Sequence, residues 1–143
     1  MKRITALLLI ILTACIFCSC QINVPNDENY DDIENRVELI DDESYYEAYE
    51  VKGKGVNIYC TLTFKNKSDK DVDFYLSADF SDDKELGLVT EGLLYGVNKA
   101  DGKDVIHIKA NKKKTVEYIF KGKFAGVNKK ANRLLPDIEI QEV

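Results

Sequence analysis

Two neighbouring stretches alternate apolar and polar side chains with a period of two, and this pattern constrains the fold more than any other feature. VNIYCTLTFK sets Ile58, Cys60, Leu62 and Phe64 against Asn57, Tyr59, Thr61 and Thr63, and VDFYLSADF sets Val72, Phe74, Leu76, Ala78 and Phe80 against Asp73, Tyr75, Ser77 and Asp79. Successive strand side chains point to opposite faces, so each stretch reads as a half-buried strand. Between them NKSDKD, Asn66 to Asp71, is a polar turn. Downstream, SDDKELG breaks the pattern, LVTEGLLYGV is a less regular apolar segment, and NKADGKD carries an Asp-Gly turn signal. VIHIKA then offers Ile106 and Ile108, TVEYIFKGKF offers Val116, Tyr118 and Phe120, and PDIEIQEV offers Ile138 and Ile140. Short strands with frequent turns, without a long amphipathic helix, predict an all-β antiparallel sandwich over residues 45–143.

Two stretches carry a fold-level resemblance. IHIKANKKKTVEYIF, an alternating strand followed by a short polar turn and a Thr-Val pair, resembles bacterial immunoglobulin-like domains. YCTLTFKNKSDKDVDFYL resembles their opening strands, in which an F-x-N-x-S step ends one strand and a valine begins the next. The resemblance implies an immunoglobulin-like β-sandwich and carries no active site with it, because fold does not fix function.

The front of the chain reads differently. Lys2 and Arg3 precede an apolar run from Ile4 to Phe17, interrupted only by Thr5 and Thr13. A basic start and a short apolar run fit a secretory signal, and about 14 residues fall short of the roughly 20 that span a bilayer. LTAC, Leu12 to Cys15, resembles the lipobox of bacterial lipoproteins, and FCSC, Phe17 to Cys20, is a looser match. The resemblance implies cleavage before a cysteine whose thiol carries a diacylglycerol, which anchors stably where a single acyl chain would not. Cys20 is the preferred lipidation site, because the chain turns polar immediately after it; Cys15, in the better box, is the alternative. The expectation is thus a signal peptide over residues 1–19, an acidic tether over 20–44 and a cell-membrane, extracytoplasmic location.

Charge is segregated along the chain. The net charge of the 143 residues is −5, yet Gln21 to Glu50 carries eleven acids against Arg36 alone. Lys109 to Arg133 holds nine basic residues against Glu117. The acidic front, with its scattered Ile33, Val37, Leu39 and Ile40, reads as a self-repelling linker that makes one short strand or helix and no core; the sharper alternative is contact with the basic stretch. The lysines serve either edge protection and solubility or attraction to anionic lipid and envelope polymers. Export and the lack of an aromatic-basic stacking motif argue against nucleic acid.

Catalytic and metal chemistry find little support. C-x2-C-x-C at Cys15, Cys18 and Cys20 lacks a second ligand pair, Cys60 stands alone on the inward phase of its strand as a buried thiol, and His107 is the only histidine. If Val105 to Lys109 pairs with Thr115 to Ile119, His107 faces Glu117 as an ordinary cross-strand pair. DFSDDKE, Asp79 to Glu85, gathers four acids without the Asn/Asp alternation and central glycine of a calcium loop, and reads as solvated carboxylates. The sequence therefore points to no enzyme and no cofactor. It points instead to a binding or interaction module with a candidate surface of Tyr59, Tyr75, Lys112, Lys113, Lys114, Lys121 and Lys123, open to a protein or an anionic envelope polymer. Tyr45, Tyr46 and Tyr49 form a second aromatic cluster. An accessory subunit of a larger envelope complex is the other reading.

Overall fold

A computed structural model describes residues 32–143, an antiparallel β-sandwich. A one-turn helix α1 (Ile33–Arg36) leads into β1 (Val37–Leu39), a 3-10 turn (Asp41–Glu43), β2 (Tyr45–Lys52), β3 (Gly55–Asn66) and β4 (Val72–Asp79). A short helix α2 (Ser81–Glu85) is followed by β5 (Leu93–Asn98), β6 (Ile106–Ile108), β7 (Lys113–Lys123) and β8 (Asp137–Glu142). In one sheet β1 and β2 share one edge of β3, β7 pairs along its other edge, and the second half of β5 pairs with β7. In the other sheet β8 pairs along β4, whose far side takes β6 and the first half of β5. The order β2–β3–β7–β5 is that of strands A, B, E and D of an immunoglobulin-type sandwich, with β4 and β8 in the places of C and F.

The alternation in β3 and β4 places the core as predicted. Val56, Ile58, Cys60, Leu62 and Phe64 face Val72, Phe74, Leu76 and Ala78 across the sandwich, and Val116, Tyr118 and Phe120 complete the layer. Phe64 meets Phe74 edge to face at a centroid distance of 5.2 Å, and Phe80 meets Phe120 in the same way. Each such ring, fully buried, stabilises the fold by roughly 1.5–3 kcal/mol.

The motif F-x-N-x-S has a structural reason. Asn66 is fully buried at the end of β3. Its side-chain amide lies 2.7 Å from the Lys70 carbonyl and 3.2 Å from those of Ile108 and Lys109, while its oxygen accepts from the Ser68 amide and hydroxyl. One side chain therefore closes the β3–β4 turn and ties it to the end of β6, satisfying backbone groups that burial would otherwise penalise.

Three expectations are corrected. The tether predicted through residue 44 stops earlier: Ile33 and Val37 are buried in the core, β1 pairs with β3, and the Glu43 carboxylate pairs with Lys113. The apolar residues of α1 and β1 have a face to bury against only once distant strands are assembled. β6 does not pair with β7. It crosses to β4, so His107 faces Asp73 with Nδ1 2.8 Å from Oδ1, and its Nε2 lies 3.6 Å from Asp71. Finally, of the acids between Asp79 and Glu85, Asp83 is buried against Arg133 rather than solvated.

Candidate functional site

β5 belongs to both sheets, and the change of partner occurs at Gly96. Tyr95 lies opposite Ser77 of β4, whereas Gly96 lies opposite Phe120 of β7. A Cβ at Gly96 would sit 2.6 Å from the Ile119 carbonyl oxygen and 2.7 Å from the Tyr118 ring, so only glycine allows this approach. The buried Tyr118 hydroxyl lies 3.0 Å from the Gly96 carbonyl and 2.9 Å from that of Asp104, donating across the corner and fixing the 104 loop beside β5. Burial pushes its ionisation up to about 12, so the phenol remains a donor at neutral pH.

This corner forms a groove of about 410 Å³ on the outside of the sandwich, between the rings of Tyr75 and Tyr95, with Val97 beside them and Lys121 and Asp104 at its rim. Tyr75 is half-buried, while Tyr95 is 55% exposed. The groove leans apolar, and Lys121 makes no ion pair. Two phenols flanked by one cation and one carboxylate suit a ligand with a flat apolar face and a polar rim, such as a sugar ring or an extended peptide.

The other residues of the predicted surface lie elsewhere. Tyr59 is on the outer face of β3, where its hydroxyl donates to Glu50 at 3.1 Å and Lys99 stands 5.9 Å from its ring. It is covered by neighbours and does not join Tyr75. Lys112, Lys113 and Lys114 gather beside His107 at the start of β7; Lys113 pairs with Glu43, and Lys114 donates to the His107 carbonyl at 3.0 Å. Lys121 lies eight residues along the same strand, about 26 Å away. Lys123 pairs with Glu91 at 3.2 Å. The basic stretch is therefore two groups at opposite ends of β7 rather than one patch. Cys15 and Cys20 lie outside the described residues.

Sequence reasoning missed Tyr95, because LVTEGLLYGV has no regular period, and it missed a second polar cluster. A β-bulge at Glu47 shifts the register of β2, so Tyr46 lies opposite Cys60 and Tyr49 opposite Ile58, both on the core side. There Arg133 lies over the Tyr49 ring at 4.5 Å and pairs with Asp83, the Tyr49 hydroxyl donates to Asn128, and the buried Tyr46 hydroxyl has no hydrogen-bond partner. Burial, with the Asp83 charge adding to it, pushes the Tyr46 phenol far above its usual range. Segment 125–136 crosses this side of the sandwich, its Ala125 and Val127 amides donating to the Leu88 and Gly87 carbonyls at 3.0 Å. The cluster holds this strap over a cleft of about 730 Å³.

Nucleophilic and metal chemistry have little to work with. Cys60 is fully buried, and desolvation, with the Glu47 charge adding to it, pushes its thiol up to about 12. Among the described residues no three His, Cys, Asp or Glu side chains converge on a metal-binding geometry. No family model matches the chain, and no curated protein or solved structure is similar to it.

Proposed function

We propose that the chain is a membrane-anchored lipoprotein of the bacterial cell envelope whose β-sandwich acts as a non-enzymatic binding module, with the ligand seated on the Tyr75–Tyr95 groove. The groove carries this reading: two phenols and an unpaired lysine are held on strands around a glycine corner that cannot relax, a rigid arrangement of the kind recognition surfaces use. The lipobox-like LTAC and FCSC support the anchored location, with Cys20 as the lipidated residue and Cys15 as its alternative.

A photo-crosslinking side chain in place of Tyr95, in intact cells, should capture one specific envelope component, protein or anionic polymer. Tyr75→Ala should weaken that capture by about 2 kcal/mol, roughly 30-fold in affinity. Capture of lipid alone would sink the binding-module reading. Anchoring is tested separately by mass spectrometry of the membrane-extracted N-terminus, which should show a diacylglycerol-modified cysteine that Cys20→Ser abolishes. An unlipidated terminus that still contains Lys2 would refute it.

A further inference from the structure

The sandwich is left open along one side. β8 pairs with β4 without a register break over its six residues, and among the described residues no strand pairs with its other edge. In an immunoglobulin-type sandwich that edge is where a last strand would pair with F. The Val143 amide donates to the Asp73 carbonyl at 3.4 Å, continuing the β8–β4 ladder. By the alternation of an antiparallel ladder, residues 137, 139 and 141 also turn their backbone groups toward β4, and the amides and carbonyls of Ile138, Ile140 and Glu142 point outward. No printed hydrogen bond of the turns and loops reaches those groups.

The core is incomplete on the same side. Leu39, Leu135, Ile138 and Ile140 pack against the buried cluster but remain half-exposed, Leu134 is 88% exposed, and a cleft of about 470 Å³ separates residues 39–44 from residues 134–138. The edge of β2 is guarded differently, by the Glu47 bulge and by the strap's contacts with Tyr49. β8 has neither device; its protection is the acidic set Asp137, Glu139 and Glu142.

From these observations we infer that the outer edge of β8 is a docking site for an extended, basic segment of another polypeptide, which adds a strand to the sheet. Unpaired backbone groups at every second residue are complementary to a strand. Alternate apolar side chains of that strand cover Ile138 and Ile140, and its lysines or arginines meet Asp137, Glu139 and Glu142. Charge excludes the two nearer candidates. Residues 21–31 of this chain hold Asp27, Glu28 and Asp31 and no basic residue, and a second β8 would set the three acids against their own copies. The site is separate from the tyrosine groove and stands or falls without it.

The test uses the full chain in detergent micelles and a capped seven-residue peptide of alternating lysine and valine. Binding is read by fluorescence anisotropy and by amide hydrogen exchange. The peptide should bind, slow exchange at Ile138, Ile140 and Glu142 at least about tenfold, and leave Glu139 and Gln141, already bonded to β4, nearly unchanged. N-methylation of two backbone amides on the pairing edge should weaken binding about 30-fold, since the side chains and charge stay while two main-chain donors go. A glutamate–valine peptide should not bind. Absence of binding, equal binding of the N-methylated or glutamate peptide, or binding without protection at the three amides overturns the inference. Protection already present without peptide also overturns it, assigning the edge to residues 21–31 if their deletion removes the protection, or to a second copy if dilution does.

Discussion

The ion pair between Asp83 and Arg133 offers the sharpest test of how the strap is held. The two groups are 50 residues apart in sequence, and their side chains are only 6% and 8% exposed. Replacing one partner leaves the other buried and charged, which costs about 3–5 kcal/mol, whereas replacing both with apolar side chains of similar volume is often near neutral. Against a total stability on the order of 5–15 kcal/mol, the single loss is a large fraction. Asp83→Leu should therefore lower the melting temperature by about 12 °C or more, at roughly 4 °C per kcal/mol for a domain of this size. Arg133→Met should cost at least as much, because it also removes the cation stacked on Tyr49.

A double-mutant cycle in urea separates the pair from its parts. The combined Asp83→Leu, Arg133→Met variant should recover most of the loss, giving a coupling of about 2 kcal/mol or more. Hydrogen exchange should also show where the energy acts, with the Ala125 and Val127 amides losing protection in Asp83→Leu ahead of amides in β3 and β7. A coupling below about 0.5 kcal/mol, the size of an exposed pair, would refute the reasoning, because the pair would then be a solvated contact on a strap held by something else.

Two further outcomes follow from the core. Cys60 and Tyr118 are both neutral in the fold, with the thiol raised from 9.0 and the phenol from 10.0, each to about 12. The unfolded chain therefore loses these protons first, and the stability they contribute, intact below about pH 9, falls as pH rises from there toward 12. Urea midpoints at pH 8, 9.5 and 11 should decline for the native chain, and the first part of that decline should flatten in Cys60→Val; an identical profile for the two chains would contradict a buried neutral thiol. Gly96→Ala should cost about 2 kcal/mol or more, because the added methyl meets a backbone carbonyl that cannot move without breaking the β5–β7 pairing. A melting temperature within about 2 °C of the native value would show that the corner is looser than drawn.

The legible parts of this fold are those whose signal is local. Alternation in VNIYCTLTFK and VDFYLSADF is enough to assign β3 and β4 and their inward residues, since a half-buried strand needs nothing beyond its own period. The illegible parts depend on distant partners. A single extra residue at Glu47 puts Tyr46 and Tyr49 on one face although strict alternation sets them on opposite faces. Ile33 and Val37 look like stray apolar residues in an acidic run until β3 supplies the surface they bury against. β6 and β7 look like a hairpin, yet Asn66 and the Asp71 carboxylate, which accepts from the Ala110 amide at 2.8 Å, hold the end of β6 on the other sheet. The site was half legible for the same reason: Tyr75 and Lys121 sit on regular strands, whereas Tyr95 is brought to them by a sheet switch that only the close approach at Gly96 explains.

The early start of the fold bears on what an anchored module can reach. If Cys20 carries the lipid, a tether running to residue 44 would span at most about 80 Å fully extended, but a fold that already buries Ile33 leaves about 12 residues, or roughly 40 Å. The charges point the same way. Glu43, Glu38 and Arg36 of the acidic front pair with Lys113, Lys67 and Glu142, so part of the segregation seen along the chain is neutralised within the fold rather than offered to a membrane. What stays available is Lys121 beside two tyrosines and an acidic strand edge at β8, surfaces of opposite charge on one small body. On the anchored reading, a partner of either surface therefore has to lie within a few tens of ångströms of the membrane. A ligand confined farther out, reachable only through a tether of 24 residues, would not be captured from Tyr95 in intact cells, and moving the fold outward with a 12-residue insertion after Gln21 should then restore the capture.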